Sequence, residues 1–386
     1  MEQLVILGAS GSIGASTLDI VKNNPSKFCV KGISVGKNID RLKEILLAFP
    51  SINLVTVQKE EDKEKLEKEY PHISFFAKDE GLITLIEKAK PTMVVNALVG
   101  FVGFLPSLYT IEHDIDLALA NKESLVVGGD LINEALDLHP SATLYPIDSE
   151  HVALAKCLDK QDAKSIKRLV ITASGGPFRD WPIEKIKEAT IEDALAHPSW
   201  SMGKKITIDS STMMNKGFEV IEAMHLFHIP LEKISILIQD ESTIHSMVEF
   251  VDNSFLADLG PADMRVPIAY ALFRKKKEVI DTRTLDIDAL TALHFRKFDI
   301  ARYPAVGLAF RAIIEGGSLP CVLNAANEEA VYAFLDGKIP YASIVPLVEQ
   351  AMSSHRIITH PSKEDLVYVD HQVREEIKKE IERRIK

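Results

Sequence analysis

Short apolar runs alternate with amphipathic stretches over the first 150 residues. "QLVIL", "FCVKGISV", "NLVTV", "ISFFA", "TMVVNAL", "IDLALA" and "ATLYPI" are brief runs rich in β-branched and aromatic residues, the form of buried strands. Between them "IGASTLDIVKNNP", "IDRLKEILLAF", the charged stretch from Lys59 to Tyr70, "GLITLIEKAK" and "KESLVVGGDLINEAL" have helical spacing. Regular alternation of this kind predicts an α/β domain over residues 1–147 with a doubly wound, mostly parallel sheet. Residues 148–273 read as a second, α+β domain, with strands over "KRLVITA" and "KITIDS" and a helix over "STMMNKGFEVIEAMHLF". The basic "FRKKKEV" opens a linker over 274–299, and residues 300–386 read as a C-terminal helical bundle. Its last segment, "HQVREEIKKEIERRIK", spaces Val373, Ile377, Ile381 and Ile385 four apart, which predicts a surface helix with one buried stripe. Residues 91–111 carry no charge and have the length of a membrane span, but Asn96, Gly100, Gly103 and Pro106 interrupt them. Strand, loop and helix fit that segment better.

Composition narrows the function classes. The chain has 386 residues, 46% hydrophobic and 26% charged, with a net charge of −11, the profile of a globular protein of two or three domains. An acidic balance without a basic block argues against nucleic acid or an anionic membrane as partner. Cys29, Cys157 and Cys321 are isolated, so neither a disulfide framework nor a zinc cluster is expected. Met1-Glu2-Gln3 lacks the basic start of a secretion signal, and a cytoplasmic location is expected.

The first run ends in a turn holding Gly8, Gly11 and Gly14, followed by a helix. Such a turn lets backbone N–H groups approach a pyrophosphate at a helix N-terminus, which points to a Rossmann-like dinucleotide site. After the second strand, Gly36-Lys37-Asn38 replaces the acid that would hold NAD ribose hydroxyls. A lysine and an amide suit a 2′-phosphate, so NADP is favoured, while Asn38 can also cap the following helix. Asn121-Lys122-Glu123 and Asp148 likewise follow strands, at the sheet edge where ligands gather.

In an extended segment Asp148 and Glu150, two apart, would point to the same side, too close for both to ionise comfortably without a cation, so they read as an acid/base pair, half of a metal site or a polar loop after a strand. On the predicted helix Asn215, Lys216 and Glu219 share a face, either a solvated salt-bridged one or, with Ser210 just before it, part of an anion and metal site. Glu219 beside the two earlier acids would complete an all-oxygen site of the kind Mg²⁺ or Mn²⁺ prefers, with Glu222 a rival on composition. Ser174-Gly175-Gly176 is either an anion-binding turn or a tight turn alone. His197, Trp200, Met202 and Gly203 lie on a loop that either closes over a substrate or tucks its tryptophan into the core.

With these residues assembled, the sequence closely resembles the 1-deoxy-D-xylulose 5-phosphate reductoisomerase family of the methylerythritol phosphate route to isoprenoids. The stretches that carry the resemblance are "LGASGSIGASTLDI", "GKN", "ANKESLV", "PIDSEH", "ASGGPFR", "HPSWSMGKKITIDSSTMMNKGFEVIEA", "IHSMVEF", "LGPADMRVPIAYAL" and "LNAANEEAV", in family order over nearly the whole chain. The resemblance implies NADPH contacts at Ser10, Gly11, Ser12, Ile13, Gly36, Lys37, Asn38, Asn121, Glu123 and Gly203, next to Gly8. It implies substrate contacts at Lys122, Ser149 and Glu150, and a divalent cation (Mg²⁺, Mn²⁺ or Co²⁺) held by Asp148, Glu150 and Glu219. Ser174, Ser210, Asn215 and Lys216 match the phosphate pocket, and His197, Trp200 and Met202 the mobile flap; a homodimer is also implied. Ser10 stands where threonine is usual, and Ser211 departs from the usual "DSAT". Gln239-Asp240-Glu241 replaces a common His-Pro-Gln, while His245 matches; the altered triplet is expected to act locally, away from the assigned residues. Competing readings are a metal-free NADP oxidoreductase without isomerisation and a nucleotide-sensing protein that lost its chemistry.

Overall fold

The computed structural model describes residues 1–200 and 202–385, without the side chain of Ile385. It divides into two compact units.

The first unit comprises Met1–Ser124, Asp130–Asp148 and Asp263–Thr282. Its strands are β1 (Glu2–Leu7), β2 (Phe28–Val35), β3 (Leu54–Val57), β4 (Ser74–Ala77), β5 (Met93–Asn96), β6 (Asp116–Leu119) and β7 (Leu144–Pro146). They pair in parallel in the order β4-β3-β2-β1-β5-β6-β7. Strand order therefore reverses beside β1, and the crevice at that switch lies at the strands' carboxyl ends. Residues 91–111 form β5, a short 3-10 turn (Phe101–Gly103) and the helix Phe104–Glu112. The buried Asn96 is satisfied there, donating to Gly103 O and Ser107 Oγ at 2.8 Å each. Among the described residues, no helix is long and apolar enough to cross a membrane.

The unit boundaries differ from the sequence reading. The helix Arg265–Leu272 belongs to the first unit, with Ile268, Leu272 and Phe273 buried in its core. Fully burying a side chain of this size contributes about 1.5–3 kcal/mol, which outweighs continuity with the neighbouring α+β segment. Phe273 packs against Phe28 with ring centroids 5.1 Å apart. Arg274, expected to begin a linker, reaches both carboxylate oxygens of Glu2 (3.2 and 3.1 Å) and pairs with Asp116.

The second unit, Leu125–Gly129, Ser149–Ala262 and Arg283–Lys386, has β8 (Ile166–Ala173), β9 (Ile234–Gln239), β10 (Ile244–Phe250), β11 (Phe255–Leu259) and β12 (Phe295–Lys297) in the order β11-β10-β8-β9-β12. Only β8 and β9 run parallel. The helix Ser149–Leu158 packs on β10 and β11, and Met214–Phe227 packs on Pro304–Glu315. That last contact is close: a Cβ on Gly217 would lie 2.6 Å from Ala309 Cβ. Within this unit the C-terminal helices Pro304–Glu315, Leu319–Leu335, Ile344–Ser354 and Lys363–Ile385 pack on one another as the expected bundle, and β12, inside the expected linker, extends the sheet. In the helix Lys363–Ile385 the stripe of Val373, Ile377 and Ile381 is buried, while the side chain of Ile385 lies outside the described residues.

"KITIDS" is helical, part of Lys204–Thr212, although Ile206, Thr207 and Ile208 favour strands. Two contacts at helical spacing override that preference. Thr207 Oγ1 donates to Gly203 O at 2.8 Å, and Lys205 Nζ pairs with Asp209 Oδ2 at 2.8 Å in a buried i,i+4 ion pair. Met213, at φ +63°, ends this helix and starts Met214–Phe227.

Candidate active site

In the first unit the glycine turn follows β1. Gly8 has φ +83°, and a Cβ there would lie 2.6 Å from Ala97 O beyond β5, so only glycine fits. A Cβ on Gly14 would lie 2.4 Å from Gly8 O, which seats the helix Ser12–Asn23 directly on the turn. Gly11 occupies the N-cap without a side-chain cap, and Gly11 and Ser12 are exposed. Gly11 N donates to Gly8 O at 3.0 Å and closes the turn, which leaves the backbone N–H groups of Ser10, Ser12 and Ile13 at a helix N-terminus suited to an anion.

Gly36, Lys37 and Asn38 are exposed after β2. Asn38 Oδ1 accepts from Arg41 N at 3.1 Å, so the expected cap is present. Asn121 caps the helix Lys122–Leu138 through Ser124 N, and its Nδ2 donates to Leu98 O and Gly100 O at 3.0 Å. Its side chain is engaged internally and aligns the helix start that carries Lys122 and Glu123. Lys122 Nζ lies 2.8 Å from Asp148 Oδ2, both nearly buried.

In the second unit the helix Ser149–Leu158 begins one residue after Asp148, and Ser149 Oγ donates to Glu150. Lys216 Nζ is 2.9 Å from Glu150 Oε1 and also pairs with Glu219 Oε2. Glu219 is 1% exposed; Asn215 Nδ2 donates to its Oε1. Ligand oxygens of Glu150 and Glu219 lie within 4.8 Å of each other. Two carboxylates converging in a buried place are a hard-cation donor set, and one ammonium supplies the counter-charge that burial demands.

His197 Nε2 is 3.1 Å from Ser174 Oγ, while His197 Nδ1 accepts from Ser199 N (3.2 Å) and Trp200 N (3.0 Å). Nδ1 is therefore the unprotonated nitrogen, and Nε2–H donates to Ser174. Burial pushes the imidazole down to about 4; Glu150 opposes that shift and Lys216 adds to it. The Trp200 and His245 ring centroids are 6.2 Å apart, Met202 is half-buried, and exposed Gly203 caps the helix bearing Ser210. A Cβ on Gly176 would lie 2.7 Å from Ser210 O, so the turn after Ser174 adjoins the end of that helix.

Several groups here were not singled out from the sequence. His151, fully buried, places Nε2 2.9 Å from Glu219 O and Nδ1 3.2 Å from Glu222 Oε2. It ties the helix carrying Glu150 to the helix carrying Glu219 and engages Glu222, the rival ligand. Asn327 Nδ2 donates to Asp209 Oδ1 at 2.8 Å, fastening the Ser210 helix to Leu319–Leu335. The expectation that Gln239-Asp240-Glu241 lies away from the assigned residues is corrected: Arg179 Nη1 donates to both Ser174 O (3.1 Å) and Asp240 O (3.2 Å), and Ser242 Oγ donates to Ser199 Oγ (3.3 Å). The parallel register of β8 and β9 brings these turns to one edge, a long-range pairing that local pattern does not reveal.

Family descriptions match three stretches: 1-deoxy-D-xylulose 5-phosphate reductoisomerase over residues 4–129, its C-terminal domain over 144–227, and a DXP reductoisomerase C-terminal domain over 259–376. The chain is 46% identical to 1-deoxy-D-xylulose 5-phosphate reductoisomerase 2 of Bacillus thuringiensis subsp. konkukian, covering 99% of this chain and 100% of that one. It is 46% identical to the reductoisomerase of Trichlorobacter lovleyi, covering 96% and 95%. Among solved structures, a DOX-P reductoisomerase in complex with NADPH, fosmidomycin and magnesium superposes with a TM-score of 0.94 at 34% identity, over 99% of this chain and 98% of that one. The Zymomonas mobilis enzyme in complex with NADPH gives 0.90 at 37%, over 99% of each chain. The chain belongs to the 1-deoxy-D-xylulose 5-phosphate reductoisomerase family.

Proposed function

We propose that this chain isomerises and reduces 1-deoxy-D-xylulose 5-phosphate to 2-C-methyl-D-erythritol 4-phosphate, with NADPH and a divalent cation, in non-mevalonate isoprenoid biosynthesis. The observation that carries the reading is the convergence of Glu150 and Glu219 on Lys216, in the same unit as the Ser174–His197 pair. Asp148, Glu150 and Glu219 hold the cation (Mg²⁺, Mn²⁺ or Co²⁺); the all-carboxylate donor set fits it. When bound, the cation supplies a Lewis acid for the substrate's ketone and hydroxyl oxygens, and NADPH supplies the hydride.

The chain's own groups do the rest. Backbone N–H groups from Ser10 to Ile13 receive the pyrophosphate, Lys37 and Asn38 the 2′-phosphate, and the Asn121–Glu123 helix start and Gly203 complete the cofactor contacts. Ser174, Ser210, Asn215 and Lys216 clamp the substrate phosphate, so binding energy distant from the reacting carbons fixes orientation. Lys216 can serve either the two glutamates or that phosphate. Lys122 and Ser149 bind the substrate beside the acids, His197 offers it Nε2–H, and Trp200 and Met202 exclude water. A homodimer is supported by β11, an edge strand whose Phe255, Leu256 and Leu259 are exposed. Three unpaired cysteines support a reducing, cytoplasmic setting.

Turnover of 1-deoxy-D-xylulose 5-phosphate with NADPH, before and after chelation, is the test. Activity is expected to vanish on chelation and return with Mg²⁺ or Mn²⁺. Full activity in the chelated enzyme would leave the metal-free oxidoreductase, and no turnover with either ion the sensing protein.

A further inference from the structure

The geometry points to Asp240 as a positioning residue for the phosphate-binding turn, acting through Arg179; the inference rests on the proposed role of Ser174. β8 and β9 are parallel and in register at Ala173↔Ile238, so the turns that follow them, at Ser174 and at Asp240, leave the same sheet edge side by side. Arg179 joins them. One nitrogen, Nη1, donates to both turn carbonyls and lies 3.4 Å from Asp240 Oδ1. The aliphatic part of Arg179 also packs beneath Gly175, where a Cβ would lie 2.8 Å from its Cγ. Gly175 and Gly176 have φ of +82° and +67°, and Gly176 closes against Ser210 O. The turn is therefore held between Arg179 on one side and the Ser210 helix on the other.

Asp240 is in turn fixed from outside. Arg296 on β12 donates to Asp240 Oδ2 from Nε (2.9 Å) and Nη2 (2.6 Å), and pairs with Asp180 Oδ1 at 2.6 Å. The exposed Arg296 contributes little energy alone. Its value is geometric, because a two-pronged contact orients the carboxylate that orients Arg179. Without the Asp240 charge, Arg179 keeps its two carbonyl contacts but loses the carboxylate that restrains its guanidinium. Ser174 Oγ keeps its contacts with His197 Nε2 and Gly176 N, but the turn carrying it loses the restraint that sets it against the Ser210 helix.

The test uses full-length enzyme with metal and the variants Asp240→Ala, Asp240→Asn, Arg179→Ala and Asp240→Ala/Arg179→Ala, with Ser174→Ala as reference. Misplacing a binding group costs rate or affinity on the order of ten- to a hundredfold. Asp240→Ala is expected to raise the KM for 1-deoxy-D-xylulose 5-phosphate about tenfold, with kcat changed less than about threefold and the KM for NADPH unmoved. The isosteric Asp240→Asn should fall between wild type and Asp240→Ala, and the double variant should be no worse than Arg179→Ala. An unchanged substrate KM in both Asp240 variants overturns the inference. So does a parallel rise in the KM for NADPH, or effects that multiply in the double variant. If Ser174→Ala itself leaves substrate KM untouched, it is the phosphate-pocket reading that fails.

Discussion

In the first unit the groups proposed to receive a pyrophosphate are consecutive, from Ser10 to Ile13. In the second unit the groups that gather acids and a lysine come from Glu150, Ser174, His197, Ser210 and the helix Met214–Phe227. The first arrangement works through neutral backbone dipoles, which need one unusual conformation at Gly8 and a closely seated helix, and no counter-charge. The second brings ionised carboxylates into burial, where each must find a cation or a proton. Lys216 answers that need for two acids at once. One place therefore depends on backbone geometry, and the other on the charge of a few single side chains.

The largest effect is expected where one charge is removed from the second arrangement. Glu219→Gln keeps the volume and the Asn215 contact surface but removes a buried negative charge. Loss of Lewis-acid stabilisation is worth several kcal/mol, so kcat should fall about 10³-fold. NADPH binding, followed by quenching of protein fluorescence, should be unchanged, because the first unit is untouched. Turnover equal to wild type would transfer the ligand role to Glu222.

The same contrast decides what could be read from the sequence. The glycine turn and the strands around it were legible because their signals lie within a few residues: an apolar run, a glycine triplet and a helix. The uncharged segment 91–111 resolved into strand and helix because its interruptions are local too. "KITIDS" misled because β-branched propensity is a weak preference, whereas the Lys205–Asp209 pair and the Asn327 contact that favour the helix depend on burial. Residues 263–282 misled for a related reason. Their apolar faces were visible, but not that Phe273 would meet Phe28. Type and spacing made the acids candidates and left Glu222 a rival to Glu219, whereas Lys216 as the shared partner of Glu150 and Glu219, His151 as the tie between their helices and Arg179 as the bridge between two turns needed the folded register.

A smaller effect is expected in the first arrangement, since backbone groups are proposed to do most of the binding there. Lys37 is exposed and adds one side-chain charge to that frame. Lys37→Ala should raise the KM for NADPH about tenfold, the equivalent of roughly 1.4 kcal/mol, and leave that for NADH within about twofold. Equal losses for both cofactors would mean that Lys37 does not meet the 2′-phosphate. The contrast with Glu219→Gln would also sharpen: Lys37→Ala should be overcome by saturating cofactor, and the glutamate variant should not.

The subtlest comparison concerns protons, and only the second arrangement is expected to respond. His197 accepts two backbone N–H groups at Nδ1, from Ser199 and Trp200, so protonating that nitrogen would set three donors against one another. Burial and Lys216 push in the same direction, and together they hold the imidazole near about 4 despite Glu150. An unfolded histidine titrates near 6.5. As pH falls below that value the unfolded chain takes up the proton first, so stability from the neutral imidazole is complete above about 6.5 and declines as pH falls towards about 4. NMR titration of the His197 ring in metal-chelated protein should give a midpoint near 4. A His197 midpoint close to 6.5 would mean that the loop's N–H groups do not hold Nδ1. The loop would then owe its position to Trp200 packing near His245, and not to this hydrogen-bonded turn.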